Sequence, residues 1–74
     1  MFTMKHVRKS DGVTHVFSCD SYEKLPVDDL GREIPQLIVQ GERGNAKVIL
    51  NYGDLVYIEN IKGKTIDVVK APLA

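Results

Sequence analysis

Residues 48 to 70 read VILNYGDLVYIENIKGKTIDVVK, three short apolar runs separated by Asn51-Tyr52-Gly53-Asp54 and Asn60-Ile61-Lys62-Gly63. The runs are rich in Val, Ile and Tyr and too short for helices, and the breaks are built from Asn, Asp and Gly, the residues that tolerate turn backbone. The stretch therefore predicts an antiparallel β-meander. Its last hairpin admits two registers. A type I turn on Asn60-Ile61-Lys62 with Gly63 left-handed pairs Ile58 with Ile66 and Val56 with Val68, and gathers Tyr57, Glu59, Thr65 and Asp67 on the other face. A two-residue turn pairs Ile58 with Asp67 instead. The first buries an apolar set and is the expected one.

The same grammar runs through the rest of the chain. Ser10-Asp11-Gly12 separates two alternating segments between Phe2 and Asp20, and Asp-Gly predicts a two-residue type I′ hairpin. That loop sets Met4 opposite Cys19, His6 opposite Phe17, Val7 opposite Val16 and Arg8 opposite His15. It puts Phe2, Met4, His6, Phe17 and Cys19 on one inward face. Residues 20–33 break the alternation with Pro26, Asp28-Asp29 and Gly31. They fit either one helical turn with Pro26 near its start and Gly31 as its stop or an extended edge strand, and the reading preferred is a strand at Tyr22 to Leu25 followed by an irregular loop. Ile34 to Gln40 is a further strand, its start placed at an edge or outside the ladder by Pro35. Gly41 to Asn45 then loops into Ala46 to Leu50. The expected fold is all-β: a single small antiparallel meander of about six strands over residues 1–74, closed as a barrel or rolled sheet, with an irregular acidic connection near residues 20–33.

Composition narrows the function classes. The chain has 74 residues, of which 43% are hydrophobic and 27% charged. That is a globular balance, but the chain is short enough that one core is all it holds. Ten basic and ten acidic residues cancel. The usual electrostatic argument for non-specific nucleic-acid binding is thereby removed. The distribution is uneven: residues 1–19 carry +2 and residues 20–33 carry −3. The single cysteine, Cys19, excludes an intrachain disulfide and a multi-cysteine zinc site. No apolar run is long enough to span a bilayer and the N-terminus lacks a signal-type segment, so the expected location is cytoplasmic.

Several constellations bear on chemistry. His6 and His15 share a face near Cys19, yet two imidazoles and a core-facing thiol fall short of the three or four converging ligands a zinc ion needs. Cys19 and Asp20 point to opposite faces of a strand, which defeats a Cys-His-Asp arrangement. The Asp28-Asp29 pair lacks calcium-loop spacing and reads as a turn former. Gly63-Lys64-Thr65 lacks the upstream glycine of a phosphate loop and leads into a strand. Gly53 to Asn60 followed by Lys62 and Ala71-Pro72 resembles the attachment hairpin of biotinyl and lipoyl carrier domains over about a quarter of the chain. In that family a turn lysine bears the cofactor. Here Gly63-Lys64 intrudes between Lys62 and the next strand, so the modified lysine is not carried over.

What remains is a non-enzymatic protein–protein interaction module that uses no cofactor and no metal. It would be an inhibitor or accessory factor of viral or mobile-element type that binds a larger protein, with self-association through sheet edges as a further mode. Partner contact is assigned to Glu23, Asp28, Asp29, Arg32 and Glu33 of the acidic connection and to Tyr57. The alternative is a nucleic-acid-binding small barrel using Tyr52, Lys62 and Lys64. An enzyme would require His6, His15 or Asp54 to meet residues of another copy.

Overall fold

The computed structural model describes residues 1–74 and contains seven strands and no helix. They are β1 (Phe2–Val7), β2 (Thr14–Cys19), β3 (Ser21–Leu25), β4 (Gln36–Gly41), β5 (Gly44–Val48), β6 (Leu55–Glu59) and β7 (Thr65–Lys70). With no helix present, none is long and apolar enough to cross a membrane. All pairings are antiparallel, in a four-stranded sheet ordered β2-β1-β6-β7 and a three-stranded sheet ordered β3-β4-β5. The all-β, antiparallel expectation holds; the closed barrel does not, because neither sheet returns on itself.

The chain crosses between the sheets twice, at a single residue after β2 and over residues 49–54 between β5 and β6. Asp20 stands alone between Cys19 of β2 and Ser21 of β3, and its N–H donates to the Gln40 carbonyl at 2.7 Å. This corner splits what the sequence suggested was a continuous rolled sheet into two layers. Between them lie Met4, Cys19, Ile34, Leu37, Val39, Leu50, Val56, Ile58, Val69 and Ala71, all buried, with Phe2, Phe17, Tyr22 and Val48 packed around them. Strand alternation supplies this core. Met4 of β1, Val56 and Ile58 of β6, and Leu37 and Val39 of β4 occupy every second position of their strands.

Three hairpins differ from expectation in instructive ways. The first has a four-residue loop, Lys9 to Gly12, closed by the Arg8 N–H on the Val13 carbonyl at 2.9 Å. A type I′ turn would require Asp11 as well as Gly12 at positive φ. Only Gly12 adopts it, at φ 70°. Asp11 instead accepts the Val13 N–H and pairs with Arg8. The register thus slides to Met4 opposite Phe17 and His6 opposite His15. A slide of two leaves every side chain on its expected face. In the second hairpin the strands run closer to the turn than expected, pairing Gly41 with Gly44.

The last hairpin adopts the expected turn, with Gly63 at φ 80° and its N–H on the Asn60 carbonyl. Glu59 pairs with Thr65, but Ile66 is then left unopposed as a bulge and Ile58 pairs with Asp67. Beyond the bulge the register is the one set aside from sequence. The extra residue re-aims the side chains that follow it. Tyr57 accordingly lies opposite Val68 and Lys5, away from Asp67, which is turned toward β3.

Candidate partner-binding cleft

Each sheet leaves two edge strands, and these meet in two unlike seams. At the β3/β7 seam, Asp67 accepts from Lys24 Nζ at 2.8 Å and from the Tyr22 hydroxyl at 3.4 Å, while Phe2 meets Tyr22 edge-on with centroids 5.1 Å apart. The Lys24 ammonium hydrogen-bonds the Asp67 carboxyl and, against partial burial, holds it below the ordinary carboxylate range. Burial first, then the Asp67 charge, push the Tyr22 phenol up.

At the β2/β5 seam no such bridge exists. From the Asp20–Gln40 pin a cleft of about 470 Å³ opens between Phe17, Ser18 and Cys19 on one side and Val39 and Ala46 on the other. It continues as a recess of about 380 Å³ toward His6, His15, Lys47 and Val48. Phe17, Val39 and Ala46 line both, so the two form one groove with an apolar floor. Asp20, Glu42 and Arg43 flank the pinned end, whereas the titratable groups at the far end are His6, His15 and Lys47.

His6 is held from behind. Asn51, Tyr52, Gly53 and Asp54 form a turn closed by the Asp54 N–H on the Asn51 carbonyl at 3.1 Å. Gly53 sits at φ 84°, and a Cβ there would lie 2.9 Å from Lys9 Cγ. Only glycine fits both the backbone angle and the space. The turn sinks Asp54 until it is 2% exposed. Its carboxyl accepts the Lys9 N–H at 3.0 Å, the Asn51 N–H at 3.0 Å and His6 Nε2 at 2.9 Å. Burial alone would push this carboxyl up, but the hydrogen bonds from Asn51, Lys9 and His6 outweigh it and the net shift is downward. An ionised Asp54 only accepts, so Nε2 of His6 carries the hydrogen and Nδ1 is left without a partner in the chain. Sequence reasoning named His6 and Asp54 separately and did not pair them; they meet within one chain. The signal missed was the Asn-Tyr-Gly-Asp turn, read as punctuation and not as an anchor.

The residues assigned from sequence are scattered. Asp28 is buried and closes its own loop, accepting the Leu30 and Arg32 N–H groups and Arg32 Nε at 2.6 Å. Burial opposes its ionisation, yet these bonds hold it below the ordinary range. Asp29 is taken by Lys47 Nζ at 2.7 Å and by Gln36 Nε2. Arg32 also lies over the Tyr52 ring, 5.9 Å from its centroid. Glu23 and Glu33 are exposed and form no ion pair, and Tyr57 stands on the outer face of the four-stranded sheet. Tyr52 precedes β6 while Lys62 and Lys64 follow it, which puts them at opposite ends of that strand. They do not form one platform. Cys19 is buried, and burial, aided by the neighbouring Asp20 charge, pushes its thiol up, the opposite of a reactive cysteine. Comparison with protein-family models, with curated proteins and with solved structures found no match.

Proposed function

We propose that this chain is a small, non-enzymatic protein–protein interaction module that receives part of a larger protein in the cleft between β2 and β5. The observation that carries the reading is the contrast between the cleft and its surroundings. An apolar floor is flanked by two strand edges with unpaired backbone, and its far end holds a histidine fixed by a buried carboxylate. Such a surface binds by shape and backbone pairing and needs no catalytic group. A module of this kind acts as an accessory factor or inhibitor by occupying a segment of its partner, and a cytoplasmic setting suits its lone thiol. The cleft is favoured over charge mimicry by the acidic connection, because Asp28 is buried and closed on Arg32 within its own loop.

The test is an affinity pull-down from source lysate with three baits: the wild-type chain, Ala46→Lys in the cleft, and a Glu23→Gln, Asp29→Asn, Glu33→Gln triple variant. One stoichiometric protein retained by wild type and the triple variant but lost with Ala46→Lys is the expected result. Loss from the triple variant alone would transfer the site to the acidic connection. Nuclease-sensitive recovery of nucleic acid would overturn the reading.

A further inference from the structure

We propose, resting on that reading, that the occupant of the cleft is an extended peptide segment that pairs with the free edge of β2, seats alternate apolar side chains on Phe17, Val39, Ala46 and Val48, and sets an acidic side chain beside His15 and Lys47.

The choice of β2 follows from how the four edges are guarded. Exposed strand edges template further pairing, and proteins blunt them with charges, proline, bulges or short length. β7 carries the Ile66 bulge and an inward Asp67. β3 carries Glu23 and Lys24 and ends at Pro26, and β5 has five residues with Lys47 among them. β2, Thr14-His15-Val16-Phe17-Ser18-Cys19, has six residues in unbroken register with no proline, lysine, arginine or carboxylate. Its edge is the unguarded one, and it forms a wall of the groove.

Backbone geometry identifies the available groups. Antiparallel ladders alternate hydrogen-bonded and non-bonded pairs. Arg8 and Val13 are a bonded pair, so counting along the register makes His6–His15 and Met4–Phe17 bonded as well. The N–H and C=O groups of Thr14, Val16 and Ser18 therefore point away from β1, toward the open edge. An aliphatic ligand would desolvate these groups without pairing them, at a cost, whereas a peptide backbone satisfies them. Side chains on one face of the added strand reach the apolar floor, and period two makes them alternate residues.

Charge distinguishes a foreign segment from a second copy. The far end presents Lys47, whose carboxylate partner Asp29 is exposed, and His15, whose side chain forms no hydrogen bond and keeps an N–H to donate; His6, its Nε2 hydrogen held by Asp54, offers only the Nδ1 lone pair, an acceptor. A carboxylate complements that end. In a symmetric edge-to-edge pairing the incoming strand would be β2 itself, which has no carboxylate to offer.

Selection of displayed random decapeptides on the purified chain tests this, followed by anisotropy titration of the enriched sequences. The expected yield is peptides with alternating apolar residues and Asp or Glu near one end. Val16→Pro removes one outward N–H without touching the β1 ladder, and proline is tolerated at such edge positions. Val16 is 61% exposed, so the fold is expected to accept the change. Binding should weaken about tenfold in Val16→Pro and remain near wild type in Val16→Ala. Ala46→Lys should abolish it, and His15→Glu should shift selection from acidic to basic residues.

Enriched peptides without apolar alternation, indifference to a folded Val16→Pro, or unchanged charge preference in His15→Glu would each overturn the proposal. A concentration-dependent dimer whose β2 amides are protected would replace the peptide with a second copy. If no peptide binds while a lysate partner is still lost with Ala46→Lys, the strand-addition proposal fails and the interaction-module reading stands; if Ala46→Lys changes nothing in either assay, both fail.

Discussion

The two seams of this molecule are made from the same material, a pair of edge strands belonging to different sheets, and they end differently because of single residues. At β3/β7 the Ile66 bulge turns Asp67 toward Lys24 and Tyr22, and side chains bridge the gap. At β2/β5 the facing residues are Phe17, Val39, Ala46 and Val48, which cannot reach across as ion pairs, and the gap stays a groove. The difference teaches that closure in a sandwich this small is decided by where a carboxylate falls on an edge, and that an edge lacking one is left for another chain.

The largest expected effect comes from removing what supports the open seam. Asp54→Ala leaves the buried N–H groups of Lys9 and Asn51 unpaired and frees His6, and should lower unfolding free energy by about 3 kcal/mol in urea titration. The His6 ring should also lose its fixed orientation, seen as averaged imidazole resonances.

Breaking the closed seam costs less. Asp67→Ala should destabilise by about 1 kcal/mol, because its partners are partly solvated. The same substitution removes the charge that helps raise the Tyr22 phenol, so ultraviolet titration should move that phenol toward its ordinary 10.0 while burial keeps it above.

Acid distinguishes the seams further. Asp54 and Asp67 both have folded values below the ordinary 3.8, so their stabilisation is fully present above pH 3.8 and is lost as pH falls through the folded values. Stability should therefore decline below pH 3.8, and less steeply in Asp67→Ala. The smallest effect is at Ala46, exposed on the groove wall. Ala46→Lys should change unfolding free energy by less than about 0.5 kcal/mol while abolishing partner binding. A large loss of stability there would mean that the cleft wall is core.

The sequence made the fold class legible because alternation and turn chemistry are local. Each strand's existence, the faces of the first hairpin and the turn at Gly63 could be read from neighbours a few residues apart. The first turn was missed although its causes are local: Asp11 bonds Arg8 and Val13, close by in sequence, and does not take positive φ. The rest of what was not legible depended on distant parts, as where the Ile66 bulge sets Asp67 against Lys24 and Tyr22 of another sheet. Asp28 and Asp29 looked like free charge because Arg32, Gln36 and Lys47 are named as their partners only by the folded chain. The cleft is the hardest to foresee, since it lies between strands of two different sheets, β2 on one side and β4 and β5 on the other.

β1 lies between β2 and β6, with Met4 beside Ile58, more than fifty positions away. The centre of the larger sheet is thus assembled from segments far apart in sequence. Until β6 reaches it, β1 lacks its second neighbour and the β1–β2 hairpin shows open edges on both sides. Closing so long a loop makes the molecule a slow folder for its length, and β1 stays half-paired until it closes.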